Sequence, residues 1–144
     1  MKRENFNLTI HMVSSLDGKI AKKDNSISWF ETSCNYEKGV DGEDPEAFLN
    51  NIDCYLMASK TYELSLELSK NYGWAYGDKP TIVLTNRKLY AFNNNIEFYT
   101  GDLSKLVNDR LKPNYKNVWA VGGSMLTGNL IREKLADEIR ISIL

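Results

Sequence analysis

Short apolar runs recur along the chain and are separated by more polar segments. Six of these runs have the length and composition of β-strands, at residues 8–13, 54–59, 81–86, 96–100, 118–123 and 138–144. Several are apolar at consecutive positions rather than at alternate ones. That pattern is typical of strands that lie inside a sheet and are covered on both faces.

Helical patterns fall between the predicted strands. Asp44 has the character of an N-cap, and it is followed by Pro45 at the first helical position and Glu46 in the first turn. Apolar residues at one-face helical spacing also follow Asp102 and Ser124. Strands that alternate with helices predict an α/β fold with a mostly parallel central sheet and helices on both faces.

Length and composition narrow the protein class. The 144 residues predict a single domain over residues 1–144, and the net charge of -1 gives no overall field for nucleic acid or anionic lipid. Cys34 and Cys54 lack the spacing of a metal-binding pair and are expected to be free thiols in a reducing cytosol. Without a secretory signal or an apolar stretch of about 20 residues, a cytoplasmic protein is expected.

The polar residues argue against several kinds of chemistry. No cluster of His, Cys, Asp and Glu has metal-ligand spacing, and the lone histidine, His11, suits no Ser/His/Asp triad. His11 lies in a predicted strand, and we expect it to be packed or half-exposed rather than a general base or a ligand. No basic stripe accompanies the aromatic segment 71–77, which favours a surface loop near the active site or a partner interface over nucleic-acid binding.

Parallel sheets bind ligands beyond the carboxyl ends of their strands, so the candidate chemistry is sought there. The run 118–123 ends at Gly122 and Gly123 and changes to a helical pattern at Ser124. Glycine lets a phosphate approach the backbone, and the first amides of a helix are unpaired donors with partial positive charge. The two glycines therefore form either a pyrophosphate-binding site or a simple turn between a strand and a helix.

Two further strand ends combine hydroxyl groups with cations. Residues 58–61 overlap and follow the end of the second predicted strand, and residues 85–88 overlap and follow the end of the third. A hydroxyl can bond a phosphate oxygen, and a Lys or Arg can neutralise a ribose 2′-phosphate. Each loop alone is more often a solvated turn, but together at one sheet edge they favour NADPH over NADH.

Six segments occur together in a specific order that spans nearly the whole chain, namely Ser15–Ala21, Trp29, Leu56–Glu63, Pro80–Asn86, Val121–Gly123 and Leu135–Glu138. In this order they resemble the dihydrofolate reductase superfamily, and within it the branch related to the C-terminal reductase domain of bifunctional riboflavin-biosynthesis proteins. The resemblance implies a three-layer dihydrofolate-reductase-like fold and an NADPH-dependent oxidoreductase.

The resemblance also implies roles for individual residues. Val13 and Ile20 would flank the nicotinamide of NADPH, and Trp29 would lie in the loop that closes over it. The remaining implied contacts are Ser59, Lys60 and Thr61 at the phosphates or adenosine ribose, Thr85, Asn86 and Arg87 at the 2′-phosphate, and Gly122, Gly123, Ser124, Met125 and Leu126 at the pyrophosphate.

Some positions depart from the family pattern. Val121 stands where the riboflavin-pathway enzymes carry an acidic substrate contact, and their preceding deaminase domain is absent, which argues against riboflavin biosynthesis itself. Ala58 replaces the glycine usual after the second strand. In dihydrofolate reductases an acid four residues before a helix phenylalanine protonates or anchors the pterin, and Asp44 stands four before Phe48. An N-cap role remains the simpler interpretation of Asp44.

The sequence therefore predicts a reductase that uses NADPH to transfer a hydride to a small planar substrate resembling a pterin, a pyrimidine or a flavin precursor. Asp44 or water would supply the proton. A non-catalytic nucleotide-binding or assembly protein with the same fold is the alternative, and a small Rossmann-like binder of another nucleotide is a third hypothesis. We expect a small-molecule partner, and the end of the chain directly after the last predicted strand favours a homodimer.

Overall fold

The computed structural model describes residues 5–24, 26 and 45–143. Within them, six strands form one sheet, β1 (Asn7–Ser14), β2 (Cys54–Ala58), β3 (Thr81–Leu84), β4 (Ile96–Tyr99), β5 (Asn117–Gly122) and β6 (Glu138–Ile143). Their order is β4-β3-β2-β5-β1-β6, and every neighbouring pair is parallel. The predicted α/β fold is confirmed, and this sheet is parallel throughout.

Helices occupy the segments between most of the strands. They are α1 (Pro45–Asn51), α2 (Ser59–Tyr72), α3 (Leu103–Lys105), a π-helical segment (Leu106–Leu111), α4 (Lys112–Asn114) and α5 (Ser124–Arg132). Four predicted strands extend one or two residues too far, because the polar and glycine residues at their carboxyl ends already belong to the next helix or loop. No helix among the described residues is long and apolar enough to cross a membrane.

Neighbouring residues along a strand pack on opposite faces of the sheet, because successive side chains of a strand point in opposite directions. On one face, Leu56 and Ala120 join a buried cluster with the π-helical segment and α5. On the other, Tyr55 and Met57 join a cluster with Phe48 of α1. The buried side chains on both faces confirm helices on both sides of the sheet.

Trp74 and Tyr76 belong to the second cluster rather than to an exposed loop. Both are partly buried, and the ring of Trp74 stacks on Phe92 with centroids 4.9 Å apart. Tyr76 meets the ring of Tyr55 edge-on at 4.8 Å. The predicted surface segment 71–77 is exposed at its other five residues, while these two side chains bury aromatic area against the sheet.

The connections of the sheet reverse direction after β4. From β1 through β4 the chain moves towards one edge by way of α1 and α2, and from β4 through β6 it moves back by way of α3, the π-helical segment, α4 and α5. Right-handed crossovers that run in opposite directions must cover opposite faces. The carboxyl end of β5 thus lies between strands whose connections leave on the other face, which is where such sheets form a ligand crevice.

Two aspartates hold the opposite, amino-terminal ends of the strands. The carboxylate of Asp53 accepts hydrogen bonds from the backbone of Lys116 at 2.8 Å and of Asn117 at 3.0 Å. The carboxylate of Asp137 accepts one from the Leu8 amide at 2.9 Å, and its own amide donates to the Leu8 carbonyl at 2.9 Å. These bonds set the positions of β2, β5, β1 and β6 relative to one another.

Tyr62 connects α2 to the loop between β3 and β4. Its ring is fully buried, and its hydroxyl donates to the Tyr90 carbonyl at 2.5 Å and accepts from the Phe92 amide at 3.0 Å. Residues 85–95 contain no helix or strand, so these two bonds are an important tertiary restraint on the loop.

We predict that Tyr62→Phe lowers the free energy of unfolding by about 1–3 kcal/mol, because two backbone groups lose their partner. The control is Tyr72→Phe in the same helix, where the side chain is 83% exposed and little change is expected. Urea denaturation of both variants measures the difference. Equal stability of the two variants would contradict the anchoring role of the Tyr62 hydroxyl.

Candidate functional site

Three of the predicted cofactor segments meet at the carboxyl edge of the sheet. Met57 of β2 pairs with Gly122 of β5, and Ala58 pairs with Leu84 of β3. The segments that begin at Ser59, Thr85 and Gly123 therefore leave neighbouring strands at the same edge. The sequence-based expectation that these loops lie together is correct.

The turn between β5 and α5 needs glycine for a backbone reason. Gly122 has φ +146°, a region that side chains with a β-carbon rarely adopt. A β-carbon added to Gly122 would lie 3.5 Å from Thr61 Oγ1, and one added to Gly123 would lie 3.6 Å from it. The hydroxyl of Thr61, in the first turn of α2, thus faces a backbone surface that carries no side chains.

The amino-terminal ends of α2 and α5 come together at this turn. Neither Ala58, the N-cap of α2, nor Gly123, the N-cap of α5, makes a side-chain capping bond among the described residues, and neither first turn contains an acid. In α3, by contrast, the Asp102 carboxylate accepts a bond from Lys105 N at 3.2 Å. Unpaired amides at two converging helix ends create positive potential and free donors at one point.

The segment that follows β3 contributes the cation Arg87, whose side chain is held by a residue of α2. Arg87 forms an ion pair with Glu63 at 2.6 Å, and both side chains are largely exposed. The Thr85 side chain is buried, and its hydroxyl accepts a bond from the Arg87 amide at 3.0 Å. The buried Thr85 therefore fixes the conformation of the loop, whereas Arg87 and the exposed Asn86 are the groups that can reach a ligand.

The other predicted cofactor residues differ in accessibility. Met125 is 82% exposed, whereas Leu126 is 5% exposed and packs in the core, so only its backbone can face a ligand. Val13 is half-buried near the end of β1, and Ile20 is 38% exposed on the turn that follows. Trp29, predicted in a closing loop, and Asp44, predicted as an N-cap or a proton donor, lie outside the described residues.

A polar and aromatic corner lies beside this edge, and we name its four residues, His11, Phe48, Trp119 and Ser142, the His11 corner. The His11 ring meets the Phe48 ring edge-on at 4.7 Å and the Trp119 ring at 6.0 Å. His11 Nε2 shares a 3.2 Å hydrogen bond with the exposed Ser142 hydroxyl, and Trp119 Nε1 donates to the His11 carbonyl at 3.1 Å. Sequence analysis missed this corner because Ser142 is 131 positions from His11.

The surroundings of His11 favour its neutral form. Burial lowers the pKa of His11 below the ordinary value of 6.5, the positive charge of Arg140 lowers it further, and Glu138 raises it. Elsewhere, burial followed by the charge of Asp53 raises the pKa of the Cys54 thiol to about 12, so this thiol is unreactive. In the described part of the chain no three His, Cys, Asp or Glu residues are grouped to hold a metal ion.

Comparisons with known proteins show what this chain is similar to. No protein-family model matches it. It is 24% identical to the uncharacterized protein YwjB of Bacillus subtilis (strain 168) over 143 residues, and 26% identical to the uncharacterized protein YyaP of that organism over 144 residues. Each alignment covers 94% of this chain, with 74% of YwjB and 73% of YyaP.

A solved structure has the same fold. A protein of Shewanella sp. PV-4 named for riboflavin biosynthesis superposes with a TM-score of 0.76, at 22% identity, over 96% of this chain and 77% of its own. The predicted resemblance to the riboflavin-reductase branch is confirmed for the fold. At this identity the likeness concerns the fold alone.

We predict that Gly122→Ala lowers the free energy of unfolding by about 1–3 kcal/mol, since alanine is strained at the backbone conformation of Gly122. The control is Gly128→Ala inside α5, where an added β-carbon meets nothing within 4 Å. Alanine should stabilise that helical position by about 0.5–1 kcal/mol. Chemical denaturation of both variants provides the comparison, and a neutral Gly122→Ala would contradict the strain.

We also predict that a proton NMR titration of tag-free protein gives His11 a pKa below 6.5, and that Arg140→Gln raises it. Because the folded pKa is below the unfolded one, the unfolded chain binds a proton first as the pH falls. The free energy of unfolding should therefore decrease as the pH drops below about 6.5 and level off below the folded pKa. A His11 pKa at or above 6.5 would refute the burial argument.

Proposed function

We propose that this protein is an NADPH-dependent reductase that transfers a hydride to a small planar substrate of the pterin, pyrimidine or flavin-precursor type. The observation that carries the proposal is the meeting of two open helix ends and the side-chain-free Gly122–Gly123 turn at the crevice beside β5. The name of the Shewanella protein with this fold is consistent with such a substrate.

The edge has the features that a pyrophosphate needs. Amides at the first turns of α2 and α5 would donate to phosphate oxygens, as helix amino termini do for anions. The Thr61 hydroxyl beside the two glycines would add another donor. The Gly122–Gly123 turn leaves room for phosphates directly on the backbone, so the residues present fit the pyrophosphate of a dinucleotide.

The choice of NADPH over NADH rests on Arg87 and Lys60. A guanidinium carries five N–H donors, so the pair with Glu63 leaves Arg87 with donors for a ribose 2′-phosphate. Lys60, exposed in the first turn of α2, would add a second positive charge. Glu63 has the opposite effect, because its carboxylate repels a phosphate.

The nicotinamide of the bound cofactor would supply the hydride, and the protein would supply position and a dry surface. Val13 and Ile20 would border the reacting ring as apolar walls. Asp44 remains the proposed proton donor, with water as the other source. A cytoplasmic location and the homodimer suggested by the sequence also stay predictions.

Fluorescence titration of the whole chain with NADPH, NADP+ and NADH tests the proposal. We expect NADPH to bind more tightly than NADH, and Arg87→Ala to weaken NADPH binding by about ten-fold, the loss of one charge-assisted hydrogen bond. NADH binding should stay unchanged in this variant. Glu63→Gln should strengthen NADPH binding, because a repulsive charge is removed.

Arg132→Ala is the matched control, since Arg132 is an exposed arginine in the last turn of α5, away from the glycine turn. It should leave NADPH binding unchanged. Oxidation of NADPH at 340 nm with dihydrofolate and flavin precursors then measures turnover. Binding without turnover of any of these compounds would favour the non-catalytic alternative, and absence of NADPH binding would refute both.

A further inference from the structure

His11 is an unusual choice for the place that it occupies. Its Nδ1 atom is buried, and within the described residues it has no hydrogen-bond partner. A buried polar atom without a partner costs free energy, and a phenylalanine could fill the same corner against Phe48 and Trp119 without that cost. Packing alone therefore does not explain the imidazole. Departures of this kind are expected at functional sites.

His11 lies next to the proposed pyrophosphate site, where the substrate of the proposed reductase would bind. β1 and β5 pair through Ile10 and Ala120, so His11 and Val121 are the next residues along the two strands. Val121 directly precedes the Gly122–Gly123 turn. His11 thus lies one residue before the proposed pyrophosphate site, on the face of the sheet covered by α1 and α2.

The polar group that this corner offers to a ligand is a pair. His11 Nε2 and Ser142 Oγ are 3.2 Å apart, and the bond lies on the exposed side of the corner. A ligand that replaces this mutual bond meets one donor and one acceptor, because an unprotonated Nε2 accepts while the hydroxyl donates, and a protonated Nε2 donates while the hydroxyl accepts. The partly exposed Trp119 ring gives the corner an aromatic wall, and the buried Phe48 ring packs against it with ring centroids 5.4 Å apart.

A ligand that matches this pair has a donor and an acceptor side by side on a flat ring. The N–H and C=O of a cyclic amide have that arrangement, and the neighbouring Trp119 ring favours a planar partner. The Arg140 guanidinium bonds Glu138 and lies over the Phe48 ring with its centre 5.2 Å from the centroid.

We propose that His11 and Ser142 are substrate-contacting residues that bind the cyclic-amide edge of the planar substrate. The inference rests on the proposed reductase function and adds to it a specificity-determining pair. In this role the ligand replaces the bond between the two side chains, and His11 Nε2 and Ser142 Oγ each bond the ligand.

The single histidine makes a direct test practicable. Imidazole signals of tag-free, 15N-labelled protein are recorded by NMR, first with saturating NADP+ and then during titration with 5,6-diaminouracil or dihydrofolate. The same titrations are run without NADP+. We expect either probe to shift the Nε2 signal of His11, and a titration in which neither probe moves it would overturn the inference.

Two variants distinguish a loss of ligand binding from a loss of structure. His11→Phe keeps the aromatic packing and removes both nitrogens, and Ser142→Ala removes the hydroxyl. We expect each to raise the dissociation constant of the probe by about ten-fold, the effect of one lost hydrogen bond, without changing the dissociation constant of NADPH. His11→Phe should be at least as stable as the wild type. Ser104→Ala, in α3 on the other face of the sheet, is the control.

The outcomes distinguish the two proposals. If NADPH binds the wild type but His11→Phe binds the probe as tightly, only the role of His11 fails. If NADPH does not bind, the reductase function fails, and the probe titration without NADP+ decides separately whether His11 contacts a cyclic amide. Loss of stability in His11→Phe, with loss of NADPH binding, would show a structural role and overturn the inference.

Discussion

Parallel pairing of β5 between β1 and β2 is the constraint on which the rest of the structure depends. It brings the carboxyl ends of strands from distant parts of the chain to one edge, with Met57 opposite Gly122. Because the connection that leaves β5 covers the face opposite to those that leave β1 and β2, a crevice opens at its end. The carboxylates of Asp53 and Asp137 hold the other ends of these strands in register. The end of the sheet that these bonds hold together therefore lies opposite the end where a ligand would bind.

The same arrangement explains why the candidate site is electropositive in a chain whose net charge is only -1. The sheet brings two helix amino termini to one turn, and neither has a side-chain cap from the described residues. Their partial charges add locally, although they do not change the formal charge of the chain. The exposed cations at residues 60 and 87 strengthen this field, and the carboxylate of Glu63 limits it. Specificity for a phosphorylated cofactor would depend on the balance between those three side chains.

The His11 corner shows a different relation between stability and function. An aromatic hydrocarbon there would bury the same kind of surface and leave no unpaired nitrogen. The imidazole instead keeps one nitrogen hydrogen-bonded to Ser142 and is held neutral by burial and by Arg140. A neutral group can donate or accept without bringing a charge next to the proposed hydride-transfer site. Stability given up at one position thus provides a polar contact on an otherwise apolar wall.

Much of the fold could be predicted from the sequence, because strand length, helix caps and glycine turns are local properties. The six strands, the parallel sheet and the start of α5 after Gly123 follow from such patterns. The extent of α2 did not, since only Tyr62 of this helix is fully buried and its apolar stripe is weak. The Arg87 pair with Glu63, the Thr61 hydroxyl over the glycines and the contact of His11 with Ser142 were decided only by tertiary structure. These contacts join residues 24 to 131 positions apart, and strand order and register, which no local pattern encodes, bring them together.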